Sequence, residues 1–254
     1  TLNTVHYRPF YLPRQTEIVR LGVTVATGGG AIATGDVQVS YSAAALTGKR
    51  VDAIGTVMGK SYERPTGVSL PFKGQPLQGH SGIKAMPDGT FWVITDNGMG
   101  SRYNSADSML YLNRYKMDWA GGKIERQETV FLHDPDKKVP FRIVHEDTAK
   151  RYLTGADFDT EGFQIINDTF WIGDEFGPFI LRVALDGRIL SVHQTMLDGK
   201  PLTGPDTPGT VVPAQPGKDF TVQRSGGYEG MALQPGTNLL WAMLEKPLLG
   251  PDGQ

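Results

Sequence analysis

An all-β fold of short antiparallel strands is what this sequence predicts, on three observations. A unit recurs three times: Ser81-Gly82-Ile83 leading to Phe91-Trp92-Val93-Ile94-Thr95-Asp96, Glu161-Gly162-Phe163 leading to Phe170-Trp171-Ile172-Gly173-Asp174-Glu175, and Glu229-Gly230-Met231 leading to Leu240-Trp241-Ala242-Met243-Leu244-Glu245. Each holds a Gly, an apolar residue, a turn, a Trp, and an acid four residues beyond the Trp. In addition, 32 Gly and 17 Pro in 254 residues favour many turns over long helices. Finally, no apolar periodicity of the helical kind is sustained over the length of a helix. Repetition of a small sheet on this scale points to radial packing of four-stranded units, the arrangement of a β-propeller.

The elements follow in chain order. Strands are expected over residues 16–21, 37–41 and 52–58, with Gly28-Gly29-Gly30 as a turn, since the triplet lacks the spacing of a phosphate-binding loop. In the repeats, the stretch between each Gly and its Trp suits one strand, a tight turn and a return strand. The turns are Met86-Pro87-Asp88-Gly89, Asn167-Asp168 and Gln234-Pro235-Gly236-Thr237-Asn238, all of turn-forming composition. After Asp96 comes a polar loop over 97–108, then a hairpin of strands 109–117 and 123–132. The second repeat continues in the same way through 179–184, the turn Leu185-Asp186-Gly187, and 188–192. Two long polar links, 133–154 and 197–227, are candidate lids.

A full unit thus has four strands, and the repeats near 80–132, 160–193 and 228–254 read as parts of a single propeller domain spanning 1–254. The third repeat stops after its first hairpin. A propeller closes on itself to protect its strand edges, so the domain is expected to be incomplete in this chain. The expectation is the N-terminal part of a longer protein, completed by further chain or by a separate C-terminal fragment.

Composition narrows the function. A net charge of −2 and a pI of about 6.2 give no basic surface for nucleic acid or an anionic membrane. No apolar run approaches the length of a membrane span. The absence of cysteine excludes disulfides and thiolate metal sites. The first residue, Thr1, fits a processed precursor, and a periplasmic or secreted location is expected.

The chemistry lies with the acids. In each hairpin the start of the first strand lies beside the end of the second, so Glu161 is expected near Asp174 and Glu175, Glu229 near Glu245, and Ser81, preceded by His80, near Asp96. Radial packing would collect these acids at one mouth of a central channel. Carboxylates crowded together raise one another's pKa unless a cation sits among them. A hard ion with flexible oxygen ligation, Ca²⁺, suits such a ring better than Zn²⁺. Metal ligands are therefore expected at Glu161, Glu229, Asp174 and Glu175. Glu245 is the candidate general base, with His80 and Asp96 as further catalytic candidates. The competing reading has these acids capping turns and His80 simply hydrogen-bonded in one. The three Trp residues are expected in the packing between units. His145-Glu146-Asp147 lacks zinc-protease spacing and reads as a solvated loop. Arg102, Lys150 and Arg151 are basic residues that either attract phosphate or mark an exposed face. Ser81 is in no nucleophile elbow.

At these motifs the chain resembles the phytase-like family, described by an esterase-like activity of phytase. The resemblance rests on Thr154-Gly155-Ala156-Asp157-Phe158-Asp159-Thr160-Glu161-Gly162, Trp171-Ile172-Gly173-Asp174-Glu175-Phe176-Gly177-Pro178 and Tyr228-Glu229-Gly230-Met231, with Gly79-His80-Ser81-Gly82 and Thr95-Asp96-Asn97-Gly98 beside them. It covers roughly residues 75–250 and implies an exported, mainly bacterial propeller-like protein that hydrolyses phosphoesters. A looser similarity links the chain to calcium-dependent lactonase and gluconolactonase propellers, in which an acid just before the Gly of the innermost strand binds the central metal. Glu161 and Glu229 match that place, and Ser81 stands there in the first repeat. The preferred expectation is a calcium-dependent hydrolase acting on a small-molecule phosphoester or ester. The alternatives are a calcium-dependent lactonase or carboxylesterase, and a non-catalytic propeller scaffold built around a structural ion.

Overall fold

A computed structural model describes residues 31–32, 49–57, 60–69, 75–76, 79–98, 102, 105–106, 108–209 and 216–253. The strands expected at 16–21 and 37–41, and the turn at 28–30, lie outside the described residues. Near the N-terminus are β1 (Ala31–Ile32), β2 (Lys49–Val57), β3 (Lys60–Ser69) and β4 (Gln75–Pro76). The strand expected at 52–58 falls largely within β2, which pairs antiparallel with β3. The sequence reading had not marked β3, because its Lys-Ser-Tyr-Glu-Arg-Pro start has no apolar alternation.

Two four-stranded antiparallel sheets follow. The first is β5 (His80–Ala85), β6 (Thr90–Thr95), β7 (Tyr111–Asp118) and β8 (Lys123–Phe131), hydrogen-bonded in sequence order. The second is β9 (Thr160–Ile166), β10 (Thr169–Asp174), β11 (Phe179–Ala184) and β12 (Ile189–Gln194), in the same order. A short ladder of β13 (Met196–Leu197) and β14 (Lys200–Pro201) precedes the third unit, β15 (Tyr228–Leu233) paired with β16 (Leu240–Leu244). No α-helix occurs among the described residues, so the all-β class holds.

Local chemistry sets the hairpins. Asp88 accepts from the Thr90 amide at 3.0 Å and the Thr90 hydroxyl at 2.6 Å, closing the first turn around Gly89. Asn167 and Asp168 both take positive φ, 47° and 53°, the backbone of a two-residue turn whose twist matches its flanking strands.

The first strands of the three units lie side by side, with β9 packed against β5 on one flank and β15 on the other. A polar relay crosses all three. Lys84 Nζ donates to Gln164 Oε1 at 2.8 Å, and Gln164 Nε2 donates to the Met231 carbonyl at 2.9 Å. The core fills the space between the first two sheets, with Trp92 meeting Phe170 edge-on at 5.1 Å among Ile94, Leu112, Phe163, Ile172 and Leu181.

Three expectations change here. The 133–154 link is anchored rather than a free lid, while its outer residues, Asp147 and Lys150 among them, are exposed as a solvated loop would be. Val139 and Ile143 join the core, His145 is buried, and Arg151 is buried between Asp134 (3.1 Å) and Glu146 (2.5 Å). Arg151 is thus committed to holding the link closed and offers nothing to a phosphate. The Trp residues also diverge, because among the described residues β16 has no further strand beside it: Trp92 is buried, whereas Trp241 is 64% exposed.

Candidate metal centre

A β-bulge aims the key residue of each inner strand. Pairing shifts between His80 and Gly82 against Thr95 and Ile94, and between Tyr228 and Gly230 against Leu244 and Met243. Ser81 and Glu229 are the extra residues. In β9 the ladder breaks in the same place, around Glu161 and Gly162. A bulge turns a side chain out of the pleat toward the strand end. The following Gly then lets the next unit approach. A Cβ on Gly82 would stand 2.9 Å from the Glu161 carbonyl, and one on Gly162 would stand 2.2 Å from the Glu229 carbonyl.

The acid beyond each Trp is fixed by one repeated backbone bond. The amides of Asp96, Glu175 and Glu245 donate to the carbonyls of Gly79 (3.2 Å), Asp159 (2.9 Å) and Gly227 (2.8 Å). Each acceptor lies three residues before its unit's Gly, and only the second unit has an acid there.

These constraints gather the carboxylates into two groups, each with ligand atoms within 4.8 Å of one another: Asp96, Asp159 and Glu161, and Glu175, Glu229 and Glu245. The grouping is staggered relative to the sequence expectation. Glu161 meets Asp96 of the preceding unit, and Glu229 meets both Glu175 of the preceding unit and Glu245 of its own. Asp174 joins neither group, because its carboxylate accepts from the amides of Asp159 (2.9 Å), Phe176 (3.2 Å), Gly177 (2.6 Å) and Phe179 (3.3 Å). It shapes the loop that carries Glu175. Asp159 was missed by sequence reasoning. The signal was present, since an acid stands where the other two units have Gly79 and Gly227.

The electrostatics are those of crowded, buried acids. Burial pushes Glu161 up to about 9, with Asp96, Glu229 and Glu175 adding to it and the Ser81 hydroxyl opposing. Burial and then the neighbouring Glu245 raise Glu175 to about 8. Asp159 lies well above the ordinary carboxylate range, through burial and then the charges of Asp96, Glu161 and Glu175. Glu229 is raised by burial and by Glu245. Among the described residues, Lys246 stands at the rim, its Nζ 3.3 Å from Glu245 Oε2.

His80 lies on β5 opposite Thr95, its ring edge-on to Tyr115 at 5.9 Å. Burial lowers it to about 4, so the ring is neutral at physiological pH. Of the other basic candidates, Arg102 donates to the Asp206 carbonyl at 2.6 Å, and Lys150 is exposed.

Fold and site together define an all-β protein with two acid clusters of metal-binding geometry. Residues 75–254, well over half of the chain, match the phytase-like family, described as esterase-like activity of phytase, and the chain belongs to that family. The membership suggests a hydrolase-type function. Comparison with curated proteins and with solved structures gives no match.

Proposed function

We propose that the protein is a calcium-dependent hydrolase of phosphoesters, working at the acid-lined mouth of a β-propeller. The observation that carries this reading is the meeting of Glu175, Glu229 and Glu245, drawn from two successive units, at an exposed rim. Glu175 and Glu229 hold the ion, and Asp174 positions the Glu175 loop. Bound there, Ca²⁺ supplies polarisation of a phosphoryl or acyl oxygen and acidifies a water. Glu245, its side chain 38% exposed, is the group placed to take a proton from that water. Lys246 Nζ donates to the carbonyls of Arg224 (2.9 Å) and Ser225 and stands beside Glu245, so its donors are spent on the rim. The choice of a phosphoester over a lactone rests on the family's description as an esterase-like activity of phytase. A neutral buried His80 is suited to orienting the first strand rather than donating a proton.

The propeller part of the reading is supported by the side-by-side packing of β5, β9 and β15. Gly230, which repeats Gly82 and Gly162, has only Met243 Cε within reach of an added Cβ, at 3.8 Å. A further unit, from more chain or a separate fragment, would pack against that face, which no other described residue covers. A periplasmic or secreted setting belongs to the same proposal, since weak calcium sites fill where calcium is abundant. The test is turnover of bis-p-nitrophenyl phosphate and of a lactone, with chelator and with calcium restored, in wild type and in Glu175→Gln/Glu229→Gln. Calcium-dependent phosphodiester cleavage lost in the double variant supports the proposal. Turnover that is indifferent to both chelator and variant rejects it.

A further inference from the structure

Glu245 and Glu229 face solvent, whereas in the second acid group Asp159 and Glu161 are buried and Asp96 is half-buried. Asp159 is only 5% exposed, and Asp96 and Glu161 converge on it from the ends of β6 and β9. Asn97 Nδ2 donates to Asp159 Oδ2 at 3.1 Å, which fixes the carboxylate plane. Asp159 Oδ1 is fully buried and receives no hydrogen bond. A buried acceptor left without a donor is unfavourable, and three acids facing each other compound the cost. Backbone amides, that of Asp159 among them, settle the Asp174 carboxylate, but none reaches Asp159 Oδ1.

We infer that Asp96, Asp159 and Glu161 form a second, more deeply set cation site, which adjoins the open Glu175–Glu229–Glu245 group where Glu175 meets Asp159 and binds a hard divalent ion of the calcium class. Ligand atoms within 4.8 Å of one another fit around one ion with bonds of about 2.4 Å. The site joins two units, since Asp96 follows β6 of the first sheet while Asp159 and Glu161 lie at the start of β9 in the second. The same seam is tied by Thr160 Oγ1, which donates to the Thr95 carbonyl at 2.7 Å. An ion here clamps the first two inner strands together. This inference goes beyond the hydrolytic reading and stands without it.

Calorimetric titration of the full, chelator-stripped chain with calcium tests it, alongside the thermal midpoint with and without calcium. Wild type is expected to take two ions per chain. Glu229→Gln/Glu245→Gln should lose one ion and keep most of the calcium-induced rise in midpoint. Asp159→Asn should lose the other ion together with that rise. Asp96→Asn serves as the second variant should Asp159→Asn fail to fold by circular dichroism. A single ion in wild type that survives in Asp159→Asn and Asp96→Asn overturns the deeper site and leaves the hydrolytic reading intact. A single ion lost in Asp159→Asn but kept in Glu229→Gln/Glu245→Gln supports the deeper site and removes the ion from the hydrolytic reading. No calcium binding in wild type overturns both.

Discussion

The two acid groups are built by one rule and differ in what surrounds them. In both, the acid beyond a Trp meets the bulged Glu of the next unit: Asp96 with Glu161, and Glu175 with Glu229. The first pair is completed by Asp159, buried in the seam between two full sheets. The second is completed by Glu245, at the rim of a two-stranded unit with no neighbour on its far side among the described residues. The comparison teaches that a repeated motif fixes where a carboxylate stands, while the neighbouring unit decides whether water and substrate reach it. On this account the deeper group serves cohesion and the open one serves chemistry.

The sharpest way to break the comparison is to exchange the tasks. Glu245→Gln should lower phosphodiester turnover by about 10²–10⁴-fold, the usual weight of a general base, with little change in thermal midpoint. Asp96→Asn should do the reverse, weakening calcium-induced stabilisation more than turnover per folded molecule. Parallel kinetics and thermal melts decide the matter, and equal effects of the two changes on both readouts would dissolve the distinction.

The repeated Trp supplies a contrast in stability. Trp92→Ala, removing a buried ring packed on Phe170, should cost about 3–5 kcal/mol. Trp241→Ala, at a 64% exposed position, should stay within about 0.5 kcal/mol. Urea unfolding measures both. A smaller contrast comes from the repeated glycines. Gly162→Ala drives a methyl toward the Glu229 carbonyl and should cost about 1–3 kcal/mol, whereas Gly230→Ala meets Met243 Cε at ordinary contact distance and should cost no more than about a few tenths of a kcal/mol.

A further effect is on pH dependence. Glu161 and Glu175 hold their protons more tightly folded than unfolded, at about 9 and about 8 against an ordinary 4.5. The stability they contribute to the metal-stripped protein is complete below about pH 4.5 and drains away as pH rises through 8 and 9. Thermal midpoints of stripped protein should therefore fall across that window, and Glu161→Gln should flatten the fall. Saturating calcium, which favours the ionised acids, should remove it.

Much of this was legible in the residues. The Gly–Trp–acid repeat located both full sheets and the inner hairpin of the third, because strand, turn and return strand leave a local record. It also named Glu161, Glu229, Glu175, Asp96 and Glu245. What it could not convey was partnership. A hairpin drawn in isolation puts Glu161 beside Asp174, but the bulge rotates Glu161 toward the preceding unit, and backbone amides take up Asp174. Both effects come from contacts between segments far apart in sequence. Asp159 escaped notice because its role depends on Asn97 and Asp96, some sixty residues earlier. The burial of Arg151 was hidden for the same reason, since a charged loop reads as solvated until Asp134 is seen to close over it.

Anomalous diffraction from crystals grown with Mn²⁺ or a lanthanide in place of calcium tests the central claim most directly. The account predicts one peak among Glu175, Glu229 and Glu245, and a second among Asp96, Asp159 and Glu161. Density showing no ion at either place, with the acids paired through shared protons instead, would contradict it.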